Sequence, residues 1–318
     1  MINSVRQTVM SVLNKNNYGY ISPSDFNLYA KQAQLDLFEN YFYQYNYQLQ
    51  KENARQSGTG YADITKGLEE VINTFSETKF LSNQVLGTFS SNRFFTPSPT
   101  TTGDDYYLIN RVVSYSTLLA SGNTTANVGN QLVDAAATFF ATGIQAGDVV
   151  VNTTDSTSTI ITAVTNTILG LRDDIFTATP CAYKIYDAST MSEVERVSQS
   201  EITRLNTSSL TSPTVLFPAY TLDGDVITVY PSSINETGRV ECQYVRYPRD
   251  PKWTFTNITG GEPIFDQTQS DYQDFELTID DEVDLVMKIL QMAGMSIREI
   301  QAVQFAKTED QINIQEKK

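Results

Sequence analysis

Asp280, Asp281, Glu282 and Asp284 crowd carboxylates into one short stretch, a density at which a metal site or an acid/base pair is conceivable. The same stretch opens a helix, where carboxylates answer the positive end of the helix dipole, and capping is the stronger reading. Asp223-Gly224-Asp225 resembles a fragment of a calcium loop. It lacks the later glycine and closing glutamate of that pattern, so it reads as a turn. Asp104-Asp105 and Asp173-Asp174 are the candidate pairs for glycoside hydrolysis. Neighbours in a strand point to opposite faces and cannot flank one bond. The chain has no histidine, which removes every Ser-His, Cys-His and His-metal arrangement. Cys181 and Cys242 are its only cysteines, too few for a four-thiolate zinc site or a disulfide framework, and both are expected to be reduced. Neither Gly-x-Gly-x-x-Gly nor a phosphate-cradling Gly-Lys-Ser/Thr occurs. No catalytic residues, metal or cofactor are expected, and the chain does not read as an enzyme.

The elements that would carry any site fall into helix, sheet and helix. With 318 residues, two folded regions are the default. Lys+Arg 22 against Asp+Glu 37 leaves a net charge of −15, which repels phosphate backbones and speaks against sequence-reading DNA binding. No run approaches the ~18 apolar residues of a membrane helix. Ile2, Val5, Val9, Val12 and Leu13 recur at helical spacing and lack the continuous apolar core of a signal peptide, so cytoplasmic synthesis is expected. Ser22-Pro23-Ser24-Asp25 predicts a capped helix start, and Leu28, Leu35, Phe38, Phe42, Tyr45 and Leu49 carry that helix to about Ala54. Gly58 and Gly60 break it, and Tyr61 to Phe75 restarts the pattern.

From Phe89 onward the texture is strand-like, beginning with Tyr106 to Tyr115. No Lys or Arg lies between Arg111 and Arg172. Asp148 to Asn152, Thr159 to Val164 and Thr167 to Leu171 read there as short strands of an all-β insertion over 118–182. Strands Tyr106 to Tyr115 and Tyr183 to Asp187 would be the two ends of the interrupted host sheet. Met191 to Leu205 reads as a short helix or loop. Val226 to Tyr230 and Arg239 to Tyr247 read as a long-looped hairpin with Cys242 facing the core. Thr278 with Asp281 forms a capping box for a helix ending at Gly294, and Ser296 with Glu299 starts another. The fold class is α+β: helices from both ends forming a bundle (1–88 and 270–318), a mostly antiparallel β domain (89–117 and 183–269), and the insertion.

Tyr41, Phe42, Tyr43, Tyr45 and Tyr47 are the most unusual local feature, because aromatics so dense cannot share one helical stripe. That helix is either central to the monomer's own core or buried against neighbouring subunits, which tyrosine suits. Phe38, Tyr41, Phe42, Tyr45 and Trp253 are the expected subunit-interface residues.

Several segments together carry a resemblance. They are the paired N-terminal helices, Gly143-Ile144-Gln145-Ala146-Gly147-Asp148-Val149-Val150 in the insertion, Tyr247-Pro248-Arg249-Asp250-Pro251-Lys252-Trp253, and a closing Asp280-Asp281-Glu282-Val283 helix with Gly294. In this order they resemble the head-to-tail ring proteins of crAss-like and related short-tailed bacteriophages. The resemblance spans most of the chain and implies a dodecameric ring of this subunit around a DNA channel, placed in the virion between the portal protein and an adjoining tail ring or tail tube. Double-stranded DNA would be passing cargo at genome ejection, which an acidic wall does not hold; no membrane is involved. The alternative is a tail appendage or host-receptor-binding protein whose insertion contacts glycans through Tyr and Asp. A carbohydrate-active enzyme would need two carboxylates converging in one cleft.

Overall fold

The computed structural model describes residues 1–14, 21–54, 63–86, 89–155, 157–257 and 263–297. The chain opens with α1 (Ile2–Asn14), α2 (Pro23–Ala54) and α3 (Asp63–Asn73). Strands β1 (Ser76–Phe80), β2 (Asn83–Leu86), β3 (Phe89–Phe95) and β4 (Tyr106–Tyr115) follow. Next come β5 (Leu118–Asn123), β6 (Ala126–Val128), β7 (Gln131–Val133), β8 (Val149–Asn152), β9 (Thr157–Val164), β10 (Ile168–Leu171) and β11 (Ala182–Tyr186). After β12 (Met191–Glu193) and β13 (Glu195–Arg196) stand α4 (Gln199–Thr207), β14 (Ala219–Asp223), β15 (Val226–Tyr230) and β16 (Val240–Arg246). Short strands β17 (Phe255–Thr256) and β18 (Ile264–Phe265) precede α5 (Glu282–Ile297). The class is α+β, with helices at both ends and, among the described residues, every strand pair antiparallel except β13 with β14.

Two compact units result: Met1–Phe75 with the chain from Tyr247 on, and Ser76–Arg246. The seams lie at Phe75/Ser76 and Arg246/Tyr247 rather than at 88/89 and 269/270. Strand β1 pairs with β16 along its whole length, so the β unit begins at Ser76. Residues 247–253 run against α2 and belong with the helices.

In the helical unit, Ser22 caps α2 as its sequence requires. The Asp25 amide donates to Ser22 Oγ (3.2 Å), and that hydroxyl donates to the Asp25 carboxylate (2.6 Å). Ile2, Val5, Val9 and Leu13 form the buried face of α1, while Val12 points outward. Helix α5 packs on α1 and α2, and Lys288 of α5 pairs with Asp36 of α2. The start of α5 differs from a capping box, since the Thr278 hydroxyl donates to the Asp281 carboxylate and makes no side-chain cap to the backbone. Gly294 does not end α5. It is buried beside Ala293 with the helix running on to Ile297, and the helix expected from Ser296 lies beyond the described residues.

In the β unit, a four-stranded sheet (β1-β16-β4-β12) and a five-stranded sheet (β13-β14-β15-β3-β2) share one core. Val112, Val240, Cys242 and Tyr244 from the first meet Phe94, Tyr220, Ile227 and Val229 from the second. Strands β15 and β16 are therefore not a hairpin. β15 pairs with β14 across a tight turn at Gly224-Asp225, with Gly224 at φ 57°, and with β3. Residues 231–239 then cross between the sheets, with Ile234 buried in the shared core. The segment expected as a short helix or loop divides into β12, β13 and α4, the last capped by Ser198.

The insertion is a seven-stranded sheet, β5-β11-β8-β9-β10-β7-β6, with its own core around Leu132, Phe139, Val150, Ile161, Leu169 and Ile185. It extends to Tyr186 rather than 182. β11 pairs with β5 and β8, so the insertion's first and last strands close on each other, and the host sheet resumes at β12, paired with β4.

Candidate functional site

The expected interface residues separate once the helical unit is built. Phe38 and Tyr41 are buried on α2, Phe42 and Tyr45 are half-buried, and Trp253 is 2% exposed. Phe38 packs edge-on against Phe42 and Phe75, with ring centroids 5.1 Å apart in each case, and against Tyr247 at 6.0 Å. The Tyr41 hydroxyl donates to Asp281, and burial first, then that carboxylate, pushes its pKa up. Trp253 stacks on Phe255 (5.6 Å) and Phe265 (5.9 Å), carries the Arg6 guanidinium 3.8 Å from its ring centroid, and donates from Nε1 to Asn3 Oδ1 (3.1 Å). Phe38, Tyr41 and Trp253 are thus core residues of the chain's own helical unit, and their burial is accounted for within one chain.

Two polar residues that the sequence reading passed over organise this core. Asn27 accepts from the Trp253 amide (2.9 Å) and donates to its carbonyl (3.3 Å). Gln34, 1% exposed, donates to the Arg249 carbonyl (2.8 Å) and accepts from the Glu276 amide (3.1 Å). With Ala30 and Ala33 between them, these amides let an extended segment lie close along α2 and satisfy its backbone. The buried face of α2 is therefore Phe26, Ala30, Ala33, Gln34, Leu37, Phe38 and Tyr41; of the expected set Leu28, Leu35, Phe38, Phe42, Tyr45 and Leu49, Phe38 is buried, Leu35, Phe42 and Tyr45 are half-buried, and Leu28 and Leu49 are exposed.

What α2 leaves in solvent is another aromatic set. Tyr43 is 69% exposed, Tyr47 39% and Leu49 39%, all on the second half of the helix, with Leu28 exposed nearer its start. Ile279 and Val283, at the start of α5, are exposed as well. These side chains are the exposed apolar and aromatic residues of α2 and of the start of α5.

The acidic candidates resolve into local roles. Asp280 and Asp281 lie in a 3-10 turn and Glu282 and Asp284 in the first turn of α5, where the helix dipole favours them. Asp104 is buried 3.9 Å from Lys79, whereas Asp105 is exposed. Asp173 is held below the usual carboxylate range by hydrogen bonds from Arg172 and Thr159. Among the described residues, no group of three or more His, Cys, Asp or Glu is placed to hold a metal ion. Cys181 and Cys242 are both buried free thiols.

The insertion carries a concavity of about 590 Å³ over β5 and the 134–142 segment. On its floor the Tyr183 hydroxyl donates to Asp134 Oδ2 (2.7 Å), while Asp134 Oδ1 accepts from the Ala136 amide (2.9 Å). Burial, then the carboxylate, raises the Tyr183 pKa. Gly122 makes the pair possible, since a Cβ there would stand 2.7 Å from the Tyr183 hydroxyl and 2.9 Å from Asp134 Oδ2. The exposed rim is neutral: Ser121, Asn123, Thr125, Thr138 and Thr142. The low charge of the segment was legible in sequence; the concavity was not, because β5 and β11 meet only through pairing across the whole insertion.

No protein-family model matches this chain, and no curated protein matches it in sequence. No helix among the described residues is long and apolar enough to cross a membrane.

Proposed function

We propose that the chain is a structural subunit of a bacteriophage head-to-tail connector, assembled as a ring that joins the portal protein to the tail and continues the DNA channel. The observation that carries this reading is the outer half of α2, where Tyr43, Tyr47 and Leu49 remain exposed on a helix ~48 Å long. A surface of that kind is covered by association, and tyrosine is enriched in such contacts. Helices drawn from both chain ends, an all-β insertion and a net charge of −15, which suits a conduit that must not retain DNA, agree with the resemblance to head-to-tail ring proteins. The subunit would be made in the bacterial cytoplasm and reside in the virion.

The neutral concavity on the insertion favours a second reading, a tail appendage or receptor-binding protein that takes an uncharged glycan. Tyr183 and Asp134 are bonded to each other there, so recognition would fall to the Ser, Asn and Thr groups of the rim.

Negative-stain imaging of the purified chain, with and without the portal, separates the two. Closed rings with a central hole are expected; trimers with a free tip would replace the connector reading with the appendage reading. The Tyr43→Asp, Tyr47→Asp double variant is expected to block ring formation with an unchanged melting temperature, because both side chains are exposed in the monomer. Normal rings from that variant would remove α2 from the interface.

A further inference from the structure

Between α4 and β14 the chain holds three large apolar side chains out in water: Leu210 at 92% exposure, Leu216 at 65% and Phe217 at 79%. This segment is tied down rather than loose. Ser212 N donates to the Ser208 carbonyl (3.0 Å) and Thr211 Oγ1 to the Leu205 carbonyl (3.2 Å). At the tip, Thr214 N donates to the Phe217 carbonyl (3.1 Å) and Phe217 N to Thr214 Oγ1 (3.2 Å), closing a small ring that turns Leu216 and Phe217 outward. Pro218 is buried at its base, and its carbonyl accepts from Glu195 N (3.0 Å). No charged residue lies between Arg204 and Asp223. A protruding, preorganised, uncharged apolar tip has the form of an inserted anchor, because little conformational freedom is left to lose on burial.

The chemistry of what receives it follows from charge. A lipid surface is disfavoured, since the tip has no Lys or Arg to meet headgroup phosphates and the whole chain carries −15. A receiving site must be concave, neutral at the rim and partly apolar within. The same β unit carries such a site in the insertion concavity, about 590 Å³, with Leu119, Ala120, Ala137 and Phe139 on its walls and its one carboxylate already bonded to Tyr183. Its volume lies within the range of pockets that take drug-sized groups, ample for one leucine and one phenylalanine side chain.

We propose that the 208–217 loop is a plug that seats in the insertion concavity of a second copy of this chain. Plug and socket are different patches of one unit, so the contact is head-to-tail and propagates from copy to copy, closing into a ring where the rotation per subunit allows. This deepens the connector reading and rests on it only for closure.

The test is a cysteine pair on the full chain, Leu216→Cys with Thr138→Cys, one at the tip and one on the rim. The native thiols are buried and stay silent. Mild oxidation is expected to give a ladder of disulfide-linked dimers, trimers and higher species from the double variant and none from either single variant. Phe217→Asp is expected to weaken self-association on the order of tenfold or more without moving the melting temperature, since Phe217 touches water in the monomer. No ladder from the double variant, equal cross-linking by a single variant, or undiminished assembly of Phe217→Asp overturns the proposal. Closed rings without the cross-link would leave the connector reading standing and sink the plug. Cross-linked open filaments would sustain the plug and sink the ring.

Discussion

Gly122 shows how one missing methyl group decides a buried contact. A Cβ there would press on both members of the Tyr183–Asp134 pair. Gly122→Ala is therefore expected to destabilise the chain by about 1–3 kcal/mol, the ordinary cost of overpacking. Tyr183→Phe, which removes the hydroxyl, should absorb part of that loss, so urea unfolding of the double variant is expected to show less than the sum of the single effects. Strict additivity would mean that the pair does not set the cost. Cys242, fully buried on β16, has its thiol pushed up to about 12 by burial and then by Glu241. It is expected to resist iodoacetamide in the native state and to react only on unfolding; rapid native labelling would contradict its place in the core. Burial also raises Glu241 above its ordinary value, against the opposing pull of the Tyr115 hydroxyl that donates to it at 2.8 Å. A carboxyl with a raised folded pKa binds its proton more tightly in the folded chain. Its stabilising contribution is whole below the unfolded pKa and is lost as pH rises through the folded one. Glu241→Gln, which keeps an acceptor for Tyr115, is thus expected to raise the melting temperature at neutral pH, with a gain that shrinks as pH falls toward about 4. A gain that grew on acidification would reverse the sign of this effect.

At the scale of elements, what was legible in sequence was whatever local chemistry decides. Ser22-Pro23-Ser24-Asp25 capped α2 where expected, and Tyr106–Tyr115 formed one strand between the same bounds. The alternation of Val240, Cys242 and Tyr244 put those three side chains in the core. Pairing was not legible, because β15 is flanked by turn signals on both sides and only the shorter, at Gly224, makes a hairpin. Strand β11 looked like host sheet for the same reason, since nothing local records that its partners are β5 and β8. The clamp on α2 was hidden more deeply. Asn27 and Gln34 look like surface amides until the backbone of residues 249–253, more than two hundred residues downstream, arrives to bond them. Gln34→Leu keeps a similar volume but removes its bonds to the Arg249 carbonyl and the Glu276 amide. It is expected to cost about 2–3 kcal/mol in urea unfolding, whereas Gln32→Leu, on the exposed face, should stay within about 0.5 kcal/mol. Equal effects at the two positions would show that the amide clamp contributes nothing.

Across the β unit as a whole, the question is whether the insertion can be taken away. Its first and last strands pair, and the Asp187 amide donates to the Thr117 carbonyl at 3.2 Å, so the host chain leaves and re-enters at nearly one point. None of the residues in the sandwich core lies between 118 and 186. A second, smaller cluster does span the seam: Phe80 and Tyr115 of the host meet Val151 and Tyr186 of the insertion, with the Tyr115 ring 5.8 Å from Phe80 and 5.9 Å from Tyr186. Where the cut falls therefore matters. Removing 119–181 alone would strand β11 without either partner and leave Tyr183 and Ile185 in water, so that version is expected to aggregate. Replacing 118–186 with a short Gly/Ser link should leave the sandwich folded but uncover Phe80 and Tyr115, at a cost of about 3–6 kcal/mol for two large side chains. Cys242 reports the outcome from inside the core, because slow alkylation with a retained β signature in circular dichroism means the sandwich stands without its insertion. Rapid labelling of Cys242 in the 118–186 replacement, even with Phe80 and Tyr115 changed to Thr to remove the uncovered surface, would make the insertion part of the host's folding unit.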